Sequence, residues 1–296
     1  MKPLKRLFLF AAFDKDNIVD DTLIYYIKAL SKFGDIVFVM DNNLSTAEIQ
    51  KISKIPNVLY TNATKHGEYD FGSYKRGYIW AQDKQILKKY DWVYFVNDSV
   101  YGPLYDLTST LESLEKSDAD LIGMISSHDE STPWHIQSWF VGFSKKIFTS
   151  DFFNDFIKKI TYVPDRLSLI MKYEVGLSCR IMRHGFKAKV LFNNDNDMIC
   201  KNARLTLTKG LPFIKKRGIA SLRKMYFLYP YTENDELVNY ISADMQRHNV
   251  KMVKDSFQDV YNLRFLRIPL LRITAKRSKI YKVYIFKYIP VLKITK

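Results

Sequence analysis

Residues 91–104, DWVYFVNDSVYGPL, constrain this chain more than any other stretch. Trp92, Val93, Tyr94, Phe95 and Val96 are all β-formers, and the run stops abruptly at Asn97-Asp98-Ser99 before closing on Gly102-Pro103. So short an apolar run suits a strand buried on both faces of a parallel sheet. Polar groups at the carboxyl end of such a strand stand where open α/β sheets bind ligands. Asp98 then has two readings. It shapes a turn, as Asn and Asp commonly do, or it is a carboxylate that needs a partner, for which a hard cation carrying a phosphate is suited.

The preceding segments have a β-α-β-α-β rhythm. Residues 6–13, 36–40 and 58–60 read as strands. Between the first two, Leu23, Ile24, Ile27 and Leu30 follow helical spacing behind a cap at Asp20 or Asp21, and Gly34 is placed to end that helix. Ser45-Thr46-Ala47-Glu48 has the capping-box form. The alternation predicts a Rossmann-like, mostly parallel sheet flanked by helices, with right-handed crossovers. Residues 135–144 read as a later strand on which His135 and Gln137 share a face, because strand side chains alternate. Residues 233–249 read as a helix outside the core.

Two further stretches hold candidate chemistry. Gly67 and Gly72 bracket Asp70 where a helix begins. Glycine admits positive φ or the close approach of a ligand. Asp70 either caps that helix or accepts hydrogen bonds from a ribose or sugar. The spacing matches neither phosphate-cradling glycine pattern. In YEVGLSCRIMRHGF, residues 173–186, Val175, Leu177, Ile181 and Met182 form a helical stripe that Gly185 ends. Glu174 stands at or near the helix start. It is either favoured there by the helix dipole or aimed as a general base into the site at the end of the sheet.

Charge divides the chain. Residues 1–200 hold 25 Lys+Arg and 25 Asp+Glu, whereas residues 201–296 hold 21 and 6. The whole excess of +15 therefore lies in the last third, behind a neutral body. We expect a catalytic-looking domain over residues 1–220 and a basic, helical extension over 221–296. The extension repeats itself: Ile268-Pro269-Leu270-Leu271-Arg272-Ile273 returns as Ile289-Pro290-Val291-Leu292-Lys293-Ile294. Basic residues interleaved with aromatic and aliphatic ones suit either a segment in a membrane interface or a hairpin packed on the body. No run approaches the ~18 apolar residues that span a bilayer, and residues 1–6 lead directly into the first strand, so no signal peptide is expected. Cys179 and Cys200 have no metal spacing and form no disulfide framework, which favours a reducing compartment.

Taken as a set, YDFGSYKRGY (69–78), VNDSVYGPL (96–104), HIQSWFVGF (135–143), YEVGLS (173–178) and LPFIK (211–215) resemble the rhamnan synthesis F family of bacterial surface-polysaccharide glycosyltransferases. The resemblance covers roughly residues 5–220. Glu174, Leu177, Arg180 and Gly185-Phe186 also fall at the spacings of inverting A-type nucleotide-diphosphosugar transferases. The resemblance implies transfer of a sugar, L-rhamnose or another hexose, from a nucleotide diphosphate to a lipid-linked or polysaccharide acceptor. It implies Glu174 as catalytic base, and Asp70, Gly67, Gly72, Asn97, Asp98 and Ser99 at the donor. His135, Gln137 and Trp139 fall on the sugar or acceptor side, and Asp98 on a divalent cation, Mg²⁺ or Mn²⁺. Three departures stand out: the usual Asp-x-Asp is reduced to Asn97-Asp98-Ser99, Glu replaces Asp at the base, and the late metal-binding His of some A-type enzymes has no clear match.

The implied partners are a nucleotide-sugar donor, a lipid-linked glycan acceptor and an anionic membrane surface, with no nucleic acid. The implied location is cytoplasmic, peripheral on the inner face of the membrane. A catalytically silent polyanion-binding protein and an inactive partner of a larger synthase are the competing classes. The Ile-Pro-aliphatic repeats count against the first, and Asp70, Asp98 and Glu174 occurring together count against the second.

Overall fold

Residues 3–193, 198–222, 225–252, 259–265, 268–276, 280–285 and 289–295 are described by a computed structural model. Four strands, β1 (Arg6–Ala12), β2 (Asp35–Met40), β3 (Val58–Asn62) and β4 (Trp92–Asn97), alternate with α1 (Asp21–Leu30), α2 (Thr46–Ser53) and α3 (Tyr69–Asp83). They lie parallel in the order β3-β2-β1-β4. Then come β5 (Val100–Tyr101), α4 (Thr108–Glu115), β6 (Leu121–Ser127), β7 (His135–Ile136), β8 (Phe140–Ser144), α5 (Lys145–Phe148) and α6 (Asp151–Lys158). They are followed by α7 (Arg166–Leu169), α8 (Gly176–Arg183) and β9 (Ala188–Phe192). β8 pairs antiparallel with both β4 and β6, and β9 runs parallel to β6. The result is the expected α/β architecture, a mostly parallel sheet flanked by helices.

Strand alternation builds two cores, one on each face of this sheet. Phe8, Phe10, Phe38, Tyr94 and Val96 are buried in one, and Leu7, Leu9, Val37, Val39, Val93 and Phe95 in the other. All six residues of β4 are buried, which puts the polar turn that follows at the centre of the sheet's carboxyl edge.

The local signals act with some changes. Asp20 caps α1 by accepting from Leu23 N at 2.8 Å. Ser45 caps α2, but the Glu48 carboxylate turns to Val19 N at 2.6 Å, so only half the capping box forms and the acid ties α2 to the β1–α1 loop. Gly34 does not end α1, which stops at Leu30. A Cβ there would lie 2.4 Å from the Arg6 carbonyl oxygen, so the requirement is close packing. The strand expected over 135–144 is broken at Gln137-Ser138-Trp139 into β7 and β8.

The first compact unit runs to Lys251, beyond the boundary expected at 220. It includes α9 (Met198–Lys201), α10 (Ala203–Thr208), β10 (Ile214–Lys215) and α11 (Asp235–Arg247). The helix expected outside the core is α11, and it buries Leu237, Val238, Ile241 and Met245. Its last residue, Arg247, bonds Asp14 and Asp16 through Nη1 (2.7 and 3.0 Å) and Asp20 through Nη2 (3.0 Å).

The second unit, Met252–Lys296, contains β11 (Asp259–Phe265), β12 (Ile268–Lys276), β13 (Ile280–Ile285) and β14 (Ile289–Thr295). They form an antiparallel sheet in chain order, where a helical extension was expected. The segment is rich in Ile, Val, Tyr and Thr, which fit a pleated surface. The repeated Ile-Pro opens both β12 and β14. Pro269 pairs opposite Arg264 and Pro290 opposite Tyr284, each beside a register shift in the facing strand, where a missing N–H is tolerated. Among the described residues no helix is long and apolar enough to cross a membrane.

Candidate active site

A cavity of about 660 Å³ opens at the carboxyl ends of β1, β2 and β4. Phe13 follows β1 into it, Asp41 follows β2, and Asn97, Asp98 and Ser99 come from the end of β4. Gly67, Tyr69 and Asp70 enter from the start of α3, and Gln137, Ser138 and Trp139 from the break between β7 and β8. Arg166, Glu174, Cys200, Lys215 and Arg217 close the remaining side. This is where an open α/β sheet places its ligand.

One wall is a hydrogen-bonded chain. Lys215 Nζ donates to Ser99 Oγ at 2.7 Å, and Ser99 Oγ donates to Asn97 Oδ1. Asn97 Nδ2 then donates to Asp70 Oδ2 at 2.8 Å. Asn97 and Ser99 therefore act as scaffold that holds Asp70 and Lys215 across the end of β4. Asp70 does not cap α3, because Glu68 occupies the cap position and makes no side-chain cap bond. Asp98 is fixed by its own N–H to Ala11 O (3.3 Å) and by its carboxylate, which accepts from Phe13 N (3.0 Å).

Burial raises the pKa of Asp70 to about 6, against the pull of Lys215 and with added repulsion from Glu174. Burial likewise raises Asp98 to about 7, against Lys216 and the Phe13 bond, with Asp70 adding repulsion. Two neighbouring carboxylates whose charge is under-compensated fit a hard cation of the kind that takes one or two carboxylates and the oxygens of a phosphate. Among the described residues there is no group of three or more His, Cys, Asp or Glu that would enclose a metal by protein ligands alone.

The facing wall is built on a helical irregularity. Asp165 caps α7 by accepting from Ser168 N at 2.9 Å, and the helix continues through a π-helical turn, Ile170–Val175, into α8. Glu174 sits inside this turn. It is therefore not at a helix start, and the dipole reading does not apply. π-turns open the backbone ladder locally and recur at functional sites. Glu174 Oε2 accepts from Ser138 N at 2.7 Å and from Ser138 Oγ, and Oε1 lies 3.4 Å from His135 Nε2. His135 Nδ1 faces the Pro133 carbonyl oxygen at 2.9 Å. Both ring nitrogens thus face acceptors, a geometry that favours the imidazolium. Burial alone would lower the His135 pKa, but the bond to and charge of Glu174 outweigh it and the pKa is raised. Burial would raise Glu174, but His135 and Ser138 outweigh it and the pKa is lowered.

The predicted residues fall into two groups. Asp70, Asn97, Asp98, Ser99, Gly67, Gln137, Trp139 and Glu174 line the cavity. Gly67 has φ 70°, and its N–H donates to the Asp41 carboxylate at 2.9 Å. Gly72 does not line it: a Cβ there would lie 2.3 Å from Glu68 Cβ, so the glycine serves helix packing. His135 does not line the cavity and reaches it through Glu174, 3.4 Å from its Nε2, whereas Gln137 lines it directly. Trp139 is only 1% exposed, donates to Gln137 Oε1 at 3.0 Å, and has Lys215 Nζ 5.3 Å from its ring centroid, so its ring is not a free platform.

Sequence reasoning missed Asp41, although it ends β2 as Asp98 follows β4. It missed the exposed aromatics Phe13 and Tyr69 too. Tyr69 holds φ 56°, a left-handed backbone that is rare for a bulky residue and that the sequence does not signal. Lys215 was quoted within LPFIK but given no role.

Comparison with known proteins gives the following. A relative from Sinorhizobium fredii (strain NBRC 101917 / NGR234), described as uncharacterized protein y4gN, is 24% identical over 165 residues. The aligned part is 55% of this chain and 42% of that relative's length. Among solved structures, the glycosyltransferase GlyE of Streptococcus pneumoniae TIGR4 is 11% identical, with TM-score 0.40 over 86% of this chain and 65% of that one. A putative nucleotide-diphospho-sugar transferase from Desulfovibrio desulfuricans G20 is 12% identical, with TM-score 0.38 over 80% and 97%. The mannosyltransferase Ktr4p from S. cerevisiae is 10% identical, with TM-score 0.36 over 53% and 60%. Residues 36–285 match the family described as Rhamnan synthesis protein F, a span that begins in β2, takes in both walls of the cavity except β1, and ends with β13. The chain belongs to the rhamnan synthesis F family.

Proposed function

We propose that this chain transfers a glycosyl group from a nucleotide diphosphate sugar to an acceptor hydroxyl, with inversion, in the assembly of a cell-surface polysaccharide. The observation that carries this reading is the pairing of opposed carboxylates across one cavity. Asp70 and Asp98 sit under-compensated on one wall, and Glu174 is ionised and hydrogen-bonded on the other. A single displacement needs that division of labour. The acceptor oxygen attacks the anomeric carbon, and the bond from that carbon to the diphosphate oxygen breaks, its electron pair leaving with the diphosphate. The hydroxyl proton passes to the Glu174 carboxylate, at a benefit of ~10²–10⁴-fold. Ser138 and His135 hold that carboxylate in place. Asp98, with Asp70 beside it, would hold a divalent cation, which when bound supplies Lewis-acid stabilisation of the departing charge. Asp41, Gly67 and the exposed Phe13 and Tyr69 lie toward β1 and β2, where the nucleoside is placed in this reading.

The donor sugar in this proposal is L-rhamnose or another hexose, and the acceptor is a lipid-linked or polysaccharide glycan. The basic second unit would keep the enzyme at the anionic inner face of the cytoplasmic membrane, where such acceptors are confined. Purified protein incubated with a panel of nucleotide sugars and Mg²⁺ or Mn²⁺ tests the core of the reading. Release of nucleoside diphosphate from one donor is expected, with product of inverted anomeric configuration by NMR. Retention at the anomeric carbon contradicts the single displacement, and no turnover with any donor contradicts the enzyme.

A further inference from the structure

The cavity contains cations that none of its carboxylates pairs with. Lys65, Lys215, Arg166 and Arg217 line it together with Asp41, Asp70, Asp98 and Glu174, and among the described residues none of the four cations makes a salt bridge with a carboxylate of the cavity. Lys215 is half-buried on β10, which pairs antiparallel with β5 so that Lys215 lies opposite Val100, just past the Asn97-Asp98-Ser99 turn. Of its three N–H donors, one goes to the neutral Ser99 hydroxyl at 2.7 Å.

Three neighbouring basic residues, Lys215, Lys216 and Arg217, do not behave alike. Lys216 turns away, with its Nζ 3.8 Å from Asp244 and 5.3 Å from the Tyr101 ring centroid. Lys215 and Arg217, two apart, enter the cavity. This alternation separates the run from a uniformly solvated basic face. Arg166 enters from the facing wall at the start of α7. A half-buried ammonium with no carboxylate at salt-bridge distance is costly, and other cations turned into the same space raise that cost. Burial pushes the Lys215 pKa down to about 8, Arg166 pushes it further the same way, and Glu174, Cys200 and Asp70 oppose. Such an arrangement is relieved by a bound anion.

Of the parts of a nucleotide sugar, only the diphosphate is anionic. We propose that Lys215, with Arg166 and Arg217, is the clamp for the donor's diphosphate and holds it as it departs. This rests on the glycosyl-transfer reading and deepens it. Lys215 donates hydrogen bonds from its ammonium to phosphate oxygens and gives up no proton, because the electron pair of the broken bond stays on the diphosphate. The tether through Ser99 and Asn97 to Asp70 fixes Lys215 beside the end of β4, so the clamp and Asp98 address the same group. The clamp accounts for the reduction of Asp-x-Asp to one carboxylate: protein cations take over part of the charge that a second metal-binding acid would otherwise help neutralise.

The test is calorimetric titration of the full chain, in EDTA, with inorganic pyrophosphate and with UDP, dTDP, GDP and CDP beside their monophosphates. We expect wild type to bind pyrophosphate and one diphosphate. Lys215→Met should weaken both at least tenfold and change monophosphate binding much less. Arg166→Gln and Arg217→Gln are substitutions of exposed residues and should each give a smaller loss. Acetic anhydride at pH 8, read by mass spectrometry on wild type, should acetylate Lys215, and pyrophosphate should protect it. This keeps the proposal testable if Lys215→Met does not fold. Unchanged pyrophosphate affinity in a folded Lys215→Met protein, or no protection of Lys215, reduces the residue to a strut for Ser99 and overturns the clamp. Failure of wild type to bind any of the diphosphates in EDTA or in Mg²⁺ overturns the donor reading itself.

Discussion

Asp98 and Glu174 are both carboxylates on the wall of one cavity, yet their surroundings push them in opposite directions. Asp98 has only the Lys216 charge and one backbone N–H against its burial, and its pKa rises to about 7. Glu174 has an imidazole and two donors from Ser138, and its pKa falls despite burial. Burial is therefore not what distinguishes them; the number of donors aimed at each carboxylate is. A carboxylate left short of donors is prepared for an incoming cation. One already held by several donors keeps its charge and its orientation and retains a lone pair for a proton. Paired acids whose environments diverge in this way mark different roles in a reaction.

The comparison breaks most readily at Glu174. Glu174→Gln keeps the shape and the contact with Ser138 but cannot accept a proton. Turnover should fall ~10²–10⁴-fold, with nucleoside diphosphate affinity within a factor of about two. If affinity falls and turnover survives, Glu174 is a binding residue and the base lies elsewhere. Asp98→Asn tests the other side. Transfer should fall ~10²–10³-fold, the cost of removing one group that stabilises developing charge, and here nucleotide affinity in Mg²⁺ should fall as well. Equal, binding-neutral losses in the two variants would mean that the two walls do not divide the work.

A smaller effect sharpens why Glu174 stays ionised. The raised His135 pKa makes its contribution to stability fully present below its unfolded value of about 6.5 and lost as pH climbs through the folded value. The lowered Glu174 pKa makes its contribution present above about 4.5 and lost as pH drops through the folded value. The pair therefore stabilises most between those limits. A hydrogen bond to a charged group contributes ~1.5–3 kcal/mol, so His135→Gln should lower Tm by about 3–10 °C near pH 5.5. The gap between variant and wild type should narrow as pH rises above about 6.5. A gap that does not change with pH would assign His135 a packing role alone.

Much of this arrangement is legible in the sequence, and the reasons for the remainder are physical. The apolar runs at 6–13, 36–40 and 92–96 read as buried strands because each is short, continuous and ended by polar or turn residues. Asp98 and Glu174 stood out because each breaks an apolar pattern. The position of Glu174 inside a π-turn was not legible, since one extra residue in a turn leaves the helical stripe of Val175, Leu177 and Ile181 intact. The Asp165 cap was a readable sign that the helix starts earlier. Partnerships such as Lys215 with Ser99, 116 positions apart, and Arg247 with Asp14, 233 apart, depend on tertiary closure that local spacing does not encode. The strands of the second unit were hidden for a different reason. Basic, aromatic and aliphatic residues in alternation fit an interfacial helix and a sheet face alike, and an Ile-Pro step is as compatible with the start of a helical piece as with the start of a strand.

The smallest effect on the cavity should come from removing residues 252–296. Every residue named on the two walls lies in the unit that ends at Lys251, including Lys215 and Arg217. The truncated chain should therefore keep wild-type nucleoside diphosphate affinity and wild-type release of diphosphate from free nucleotide sugar. The second unit is proposed to bear on location. From 264 to the end it carries Arg264, Arg267, Arg272, Lys276, Arg277, Lys279, Lys282, Lys287, Lys293 and Lys296, and no acidic residue. Each basic group near an anionic leaflet contributes ~1 kcal/mol, screened by salt. Full-length protein should sediment with vesicles of phosphatidylglycerol in low salt and be released as salt rises, and the truncated chain should stay in the supernatant. Transfer to a lipid-linked acceptor in those vesicles should fall with the loss of binding, while chemistry on soluble donor does not. If truncation instead abolishes nucleotide binding, the second unit is needed for the cavity itself, and the division between a site that does chemistry and a sheet that places it fails.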